Sequence, residues 1–326
     1  MQKGTVGVIG AGDIGFNIAE VMALKGHDVI VYNRYHEVDG KPGPYWLSKM
    51  GIVMDINDSL QLPGAGSVCL VHDLDKLSNV DYIVITAGAK RSSPEETREE
   101  LAGKNAKIIA GFAELISKNS KALTLIVTNP IDFLARYLIE EVAKVSGKKL
   151  EEVAKKIVGV SYVDTMRLKN AVKEFLEIHH PEVTNPIIEG IALGEHGPAM
   201  VPIMSQVTVN ARPLTDFANE DQIEAIRKQT VLRGNDIIKL TGASSVMGPA
   251  HAVCYMIEQI DLNPRVQLPC SVWDNGSCIG KLVEFLARQA HKILQVTKSD
   301  LELEMMKKCK TTLDAQYNAI IGLLKK

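Results

Sequence analysis

Six residues near the start of the chain, Gly10-Ala11-Gly12-Asp13-Ile14-Gly15, constrain its fold more than any other segment. They follow a short apolar run, Val6–Ile9, and open a stretch of helical period over 14–25, with a second apolar run, Val29–Tyr32, beyond it. A G-x-G-x-x-G sequence is common at turns, but set between a strand and a helix it has a mechanical meaning. Gly10 makes the tight turn, Gly12 lets the backbone approach a pyrophosphate at the helix N-terminus, and Gly15 lets helix and strand pack closely. Asp13 and Ile14 complete this expected dinucleotide-binding turn.

The alternation continues. Apolar runs at 68–71, 82–86, 123–127 and 157–158 are separated by helical periods at 101–119 and 131–145. That is the habit of βαβ units around a parallel sheet. Beyond Gly159 the pattern changes to a helix over 163–176, strand-like runs at 187–193 and 201–209, a long helix from near Asp221 and another over 301–324. The expected architecture is α/β: a doubly wound parallel sheet of Rossmann type over 1–158, then an α+β substrate domain over 159–326. A length of 326 residues suits two domains. The absence of repeats or a proline-rich linker suggests that they pack tightly around a shared cleft.

Composition removes other classes. Apolar residues at 46% and charged residues at 23% describe an ordinary folded protein. The 37 Lys plus Arg are balanced by 39 Asp plus Glu, so no basic stripe points to nucleic acid. No apolar stretch reaches the roughly 18 residues of a membrane span. The five cysteines are scattered without a C-x-x-C pair, which argues for a reducing compartment and against a metal site. With no secretory pattern at the start, a cytoplasmic location is expected.

Four further groups carry chemistry. At the end of the second strand a carboxylate normally holds the adenosine ribose; here Asn33 and Arg34 stand instead, which tolerates or grips a 2′-phosphate and favours NADP over NAD. His196, in Leu193-Gly194-Glu195-His196-Gly197-Pro198, carries the side chain best suited to proton exchange near neutral pH. Asp164 and Arg167 are three residues apart at a helix start, which reads as a surface ion pair unless His196 joins them. The polar run from Ala87 to Arg98 leaves a parallel strand at its carboxyl end, where open α/β sheets bind ligands, and could form a lid.

Taken in order, GAGDIG, TAGAKR with TREEL downstream, TNP at Thr128 to Pro130, DTMR at Asp164 to Arg167, and GEHG at Gly194 to Gly197 resemble the lactate/malate dehydrogenase family over essentially the whole chain. The resemblance implies that His196 is the general acid and base, Asp164 orients it, and Arg167 clamps the substrate carboxylate. It implies that Arg98 belongs to a closing loop and polarises the substrate carbonyl. Asn129 would contact substrate and histidine, while Thr86, Ala87, Gly88, Asn105 and Val127 would line the cofactor site. In the family, glutamine at the position of Arg91 accompanies lactate and arginine accompanies malate, as a second carboxylate demands. The implied activity is malate/oxaloacetate interconversion with NADP or NAD in a homo-oligomer, a dimer or tetramer. A lactate or other 2-hydroxyacid dehydrogenase is the alternative, followed by a non-catalytic nicotinamide-binding protein. Ser92-Ser93-Pro94-Glu95 after Arg91, and Pro198-Ala199 after GEHG, depart from the family pattern, and the region 273–280 looks shortened.

Overall fold

The computed structural model describes residues 3–89 and 97–325. The expectations placed on Arg91 and on 92–96 lie outside the described residues. The strands of the main sheet, in chain order, are β1 (Val6–Ile9), β2 (Val29–Tyr32), β3 (Val68–Val71), β4 (Tyr82–Ile85), β5 (Leu123–Ile126), β6 (Ile157–Gly159), β7 (Ala192–Gly194), β8 (Met200–Pro202), β9 (Arg265–Asp274), β10 (Ser277–Leu286) and β11 (Gln289–Ile293). The helices are α1 (Asp13–Leu24), α2 (Pro44–Ser59), α3 (Arg98–Ala110), α4 (Ala113–Lys118), α5 (Ile131–Ser146), α6 (Leu150–Ala154), α7 (Tyr162–His179), α8 (Glu220–Thr241), α9 (Met247–Leu262) and α10 (Asp300–Leu324).

In the first half the strand order is β3-β2-β1-β4-β5-β6, with every pair parallel. The order reverses between β1 and β4. Their connections run to opposite faces of the sheet and leave a crevice outside the strand ends. β1 and β4 read as unbroken apolar runs because both faces of the sheet are covered. Tyr82 and Val84 join Val6 and Val8 under α1, whereas Ile83 and Ile85 join the core beneath α3 and α5.

The two halves are not separate bodies. β9 lies antiparallel to β6, with Ser271 opposite Gly159, and carries the same sheet on to β10, β7 and β8. α9 returns to pack on α1, so Val253, Met256 and Ile257 share a core with Ile18 and Met22. On the other face α10 packs on α3 and α5. A smaller core of Leu168, Val172, Leu176, Val207 and Ile226 joins α7 to α8.

Several expected elements are revised. The helix expected over 101–119 starts at Arg98, because Thr97 accepts the Glu100 N–H and Glu100 accepts the Thr97 N–H in a capping box. It breaks at Gly111-Phe112, where the Phe112 ring turns into the core. The runs at 187–193 and 201–209 are each split, into Ile188–Glu189 with β7, and into β8 with Thr208–Val209 around a 3₁₀ turn. The region 273–280 is a hairpin turn in which Asn275 and Gly276 take φ of 50° and 82°, as a tight connection of twisted strands requires.

Gly15 controls how closely α1 meets the sheet. A Cβ there would stand 1.9 Å from the Gly10 carbonyl oxygen, inside any allowed contact. Gly15→Ala should therefore lower stability by about 1–3 kcal/mol or more, the scale of overpacking. Urea unfolding checks this, and an unchanged midpoint would mean that the helix can shift freely.

Candidate active site

Three loops meet at the carboxyl ends of β1, β4 and β5. Gly10 takes φ of 122° and donates its N–H to the Tyr32 carbonyl (3.0 Å), turning the chain sharply into α1. The Thr86 hydroxyl donates to the Gly10 carbonyl (3.0 Å), and the Thr86 and Ala87 N–H groups both reach the Ile9 carbonyl. The Thr128 hydroxyl donates to the Ala87 carbonyl (2.8 Å). Asn105, 3% exposed, accepts the Ala89 N–H (2.7 Å) and donates to the Asn129 carbonyl (2.8 Å). It ties the second loop to the third. Val127 is buried beneath them, its N–H on the Ile85 carbonyl (2.9 Å).

These loops fit a dinucleotide. The first turn of α1 has no side-chain cap, so its N–H groups are available to an anion. A Cβ at Gly12 would meet nothing within 4 Å, so space lies open above the turn, while Asp13 is exposed and Ile14 packs inward. At the end of β2, the Asn33 N–H donates to the Val71 carbonyl (3.0 Å), and its side-chain amide to the Arg34 carbonyl (3.2 Å). Arg34 is exposed, and its guanidinium pairs with no described residue.

The residue expected to exchange protons lies beside the antiparallel part of the sheet. His196 follows β7, and its Nδ1 lies 2.7 Å from Asp164 Oδ2 in the first turn of α7. A carboxylate only accepts, so Nδ1 carries the hydrogen and Nε2 is left able to accept a proton. The other oxygen, Oδ1, accepts from Arg167 at 3.2 Å. Asp164 is 2% exposed, so one buried carboxylate serves both partners. Burial alone would depress the imidazole, but the Asp164 charge, helped by Asp132 and opposed by Arg167, raises its pKa above the ordinary histidine value. Arg167 lies against α8 where Gly234 leaves room; a Cβ there would stand 3.3 Å from its guanidinium.

The structure thus brings together His196, Asp164 and Arg167, and separately Gly10 to Gly15, Thr86, Ala87, Gly88, Asn105, Val127 and Asn129 around the loop cluster. Asn129 is exposed and next to Pro130, its carbonyl accepting from Asn105. Arg98 is exposed on the first turn of α3 and, among the described residues, makes no hydrogen bond or ion pair with His196. Sequence reasoning missed Asp132, whose Oδ2 accepts the His196 backbone N–H (2.8 Å), and Glu195, whose Oε2 accepts the Ala199 N–H (2.8 Å) and steadies the turn. Asp132 had a signal: it is a carboxylate among Ile131, Phe133, Leu134 and Ala135, all buried. Among the described residues no cluster of three His, Cys, Asp or Glu could hold a metal, and no helix is long and apolar enough to cross a membrane.

Comparison with known proteins agrees with this geometry. Residues 5–153 match the family model described as lactate/malate dehydrogenase, NAD binding domain, and 162–322 match its alpha/beta C-terminal domain. Malate dehydrogenase 2 of Aquifex aeolicus is 31% identical over 281 residues, 85% of this chain and 79% of that one. Malate dehydrogenase of Bacteroides thetaiotaomicron is 30% identical over 302 residues, 89% and 90% of the two chains. The crystal structure of malate dehydrogenase from Cryptosporidium parvum superposes with a TM-score of 0.82 at 27% identity, covering 99% of this chain and all of that one. The lactate dehydrogenase of the same organism, solved with lactic acid and nicotinamide adenine dinucleotide, has a TM-score of 0.81 at 24% identity over 98% of each chain.

The Asp164 charge predicts a directional effect. Asp164→Asn keeps the size of the side chain and removes the charge that favours the imidazolium, so His196 should titrate lower by about 1–3 pH units. NMR titration of the imidazole measures it. A midpoint unmoved by the substitution would remove Asp164 as the cause of the upward shift.

Proposed function

The chain belongs to the lactate/malate dehydrogenase family and is a malate dehydrogenase-like oxidoreductase; from that premise we propose that it interconverts malate and oxaloacetate, with NADP preferred over NAD. The observation that carries the reading is the shared Asp164 carboxylate, which holds His196 and Arg167 side by side. A nicotinamide held by the loops of the first half would supply the acceptor for a hydride from substrate C2. In the same oxidation His196 Nε2 takes the hydroxyl proton, and in reduction it returns it. Arg167 pairs with the C1 carboxylate, a bidentate geometry that fixes the face of C2 presented for transfer. Arg98 closes over the substrate and polarises its carbonyl, Asn129 contacts substrate and His196, and Arg91 pairs with the distal carboxylate.

On this reading residues 1–158 bind the cofactor, through Gly10 to Gly15, Asn33, Arg34, Thr86 to Gly88, Asn105, Val127 and Asn129, and residues 159–326 bind the substrate. Asn105 acts there by holding the loops, since both ends of its amide are engaged. A homo-oligomer is supported by the exposed apolar side chains Tyr45, Met50 and Met54 on α2. Five free cysteines suit a cytoplasmic protein.

Substrate choice is tested at Arg91. If it pairs with the distal carboxylate, Arg91→Gln should lose about 2–5 kcal/mol of transition-state stabilisation for oxaloacetate, the scale of truncating a desolvated charge pair. Pyruvate should lose far less. Equal losses in kcat/KM for the two acids would sink the malate assignment and favour a lactate or other 2-hydroxyacid dehydrogenase.

Cofactor choice is tested at Asn33 and Arg34. A charge-assisted bond from Arg34 to a 2′-phosphate contributes about 1.5–3 kcal/mol, so NADPH should exceed NADH in kcat/KM by roughly ten- to a hundredfold. The advantage should shrink with salt, as the Debye length falls from about 10 Å at 0.1 M to about 3 Å at 1 M. Asn33→Asp with Arg34→Ile should invert the preference. An unmutated enzyme that prefers NADH shows that these residues do not read the phosphate.

A further inference from the structure

Behind His196 lies a second carboxylate, Asp132, outside the five segments quoted above. Asp132 stands in the first turn of α5, 4% exposed, and its Oδ2 accepts the His196 backbone N–H at 2.8 Å. Its other oxygen, Oδ1, is fully enclosed and makes no hydrogen bond of good geometry; the same holds for the nearby Ser271 hydroxyl on β9. A neutral amide or hydroxyl could accept the same N–H without the desolvation cost of an anion. The chain nevertheless places an ionisable group there, with the positive end of the α5 dipole to favour its charge.

We propose that Asp132 is a positioning residue of the proton-exchange site: it fixes the His196 backbone while Asp164 fixes the imidazole, and its charge helps to keep that imidazole protonated. The role rests on His196 being the exchanging group. Burial pushes the Asp132 carboxyl up to about 6, against the pull of the Ser271 hydroxyl and the His196 N–H. At neutral pH it is therefore mostly ionised, and it neutralises within the range where histidines titrate. The two groups lose and gain charge together, which broadens the His196 titration.

The other groups facing this pair are known by element. α7 supplies Asp164, which supports the imidazolium, and Arg167, which opposes it. Glu195, next to His196, pushes Asp132 towards its neutral form. Arg136 and Glu140 of α5 act on Cys278 of β10, which also feels Asp132, and burial pushes that thiol well above its ordinary range. Cys309 of α10 is pushed by burial up to about 12. Both thiols stay neutral near pH 7, so Asp132 and Asp164 are the anions that act on the imidazole.

The test is an NMR titration of the His196 imidazole in the full-length protein, with His196→Gln used to assign its signals. Asp132→Asn keeps an oxygen that can accept the backbone N–H, and its new N–H groups can donate to Ser271. It should lower the His196 midpoint by about one pH unit and sharpen the curve while the Asp164-bonded Nδ1 proton stays in place. In steady-state reduction of oxaloacetate, kcat/KM should then fall off at correspondingly lower pH with its low-pH plateau retained. A midpoint and shape equal to wild type would overturn the proposal and leave Asp132 a packing residue. Should Asp132→Asn fail to fold, Ser271→Ala takes its place, since it loses no good hydrogen bond and removes the hydroxyl that favours the carboxylate. It should shift the midpoint the same way by a smaller amount, and no shift overturns the proposal. A shifted midpoint in a protein without dehydrogenase activity would uphold Asp132 and sink the function proposed above.

Discussion

One carboxylate, Asp164, holds the chemical centre of this protein together. A nearly fully buried anion is costly unless each oxygen finds a partner, and truncating one member of such a group leaves the others exposed to that cost. Asp164 gives Oδ2 to His196 and Oδ1 to Arg167, so an imidazole and a guanidinium are fixed by the same side chain. The pairing sets the tautomer of His196 and leaves Nε2 without the ring hydrogen. It also keeps the Arg167 guanidinium and the imidazole on the same carboxylate.

That arrangement depends on the sheet. α7 begins three residues beyond β6, and β6 is the strand through which the parallel half passes into the antiparallel half. Because β6 pairs with β5 on one side and β9 on the other, Asp164 has a rigid origin relative to both the cofactor loops and β7, which delivers His196. α9 and α10 fold back onto the first half and give the two halves shared cores. The loops at the carboxyl ends of β1, β4 and β5 and the His196–Asp164–Arg167 group are thereby held in one frame.

How much of this was legible follows from how local each signal is. Gly10 to Gly15 could be read directly, because a steric demand at a turn leaves few residue types. The strands of the parallel half were legible because burial on both faces forces continuous apolar runs. His196, Asp164 and Arg167 could be named but not joined, since nothing in their spacing places residue 196 against residue 164; only the family resemblance did so. Asp132 was passed over because its partner is a backbone N–H 64 residues away. The Asn275-Gly276 hairpin carries a recognisable turn dipeptide, whose φ values of 50° and 82° fit a tight connection. The next hairpin turn, where Ala287 and Arg288 take φ of 49° and 60°, carried none. There the pairing of β10 with β11 and the Arg288 contacts to Asp81 and Asp261 impose a backbone that neither residue prefers.

The central claim is that His196, held by Asp164, exchanges the proton that accompanies hydride transfer. Following absorbance at 340 nm after oxaloacetate is added to reduced cofactor, in wild type and His196→Gln, tests it most directly when cofactor binding is measured on the same samples. The account predicts equal cofactor affinity and turnover lower in the variant by about two to four powers of ten, the usual share of general acid-base catalysis. A variant that turns over near the wild-type rate, or a wild-type protein that binds the reduced cofactor without consuming it, would contradict the account.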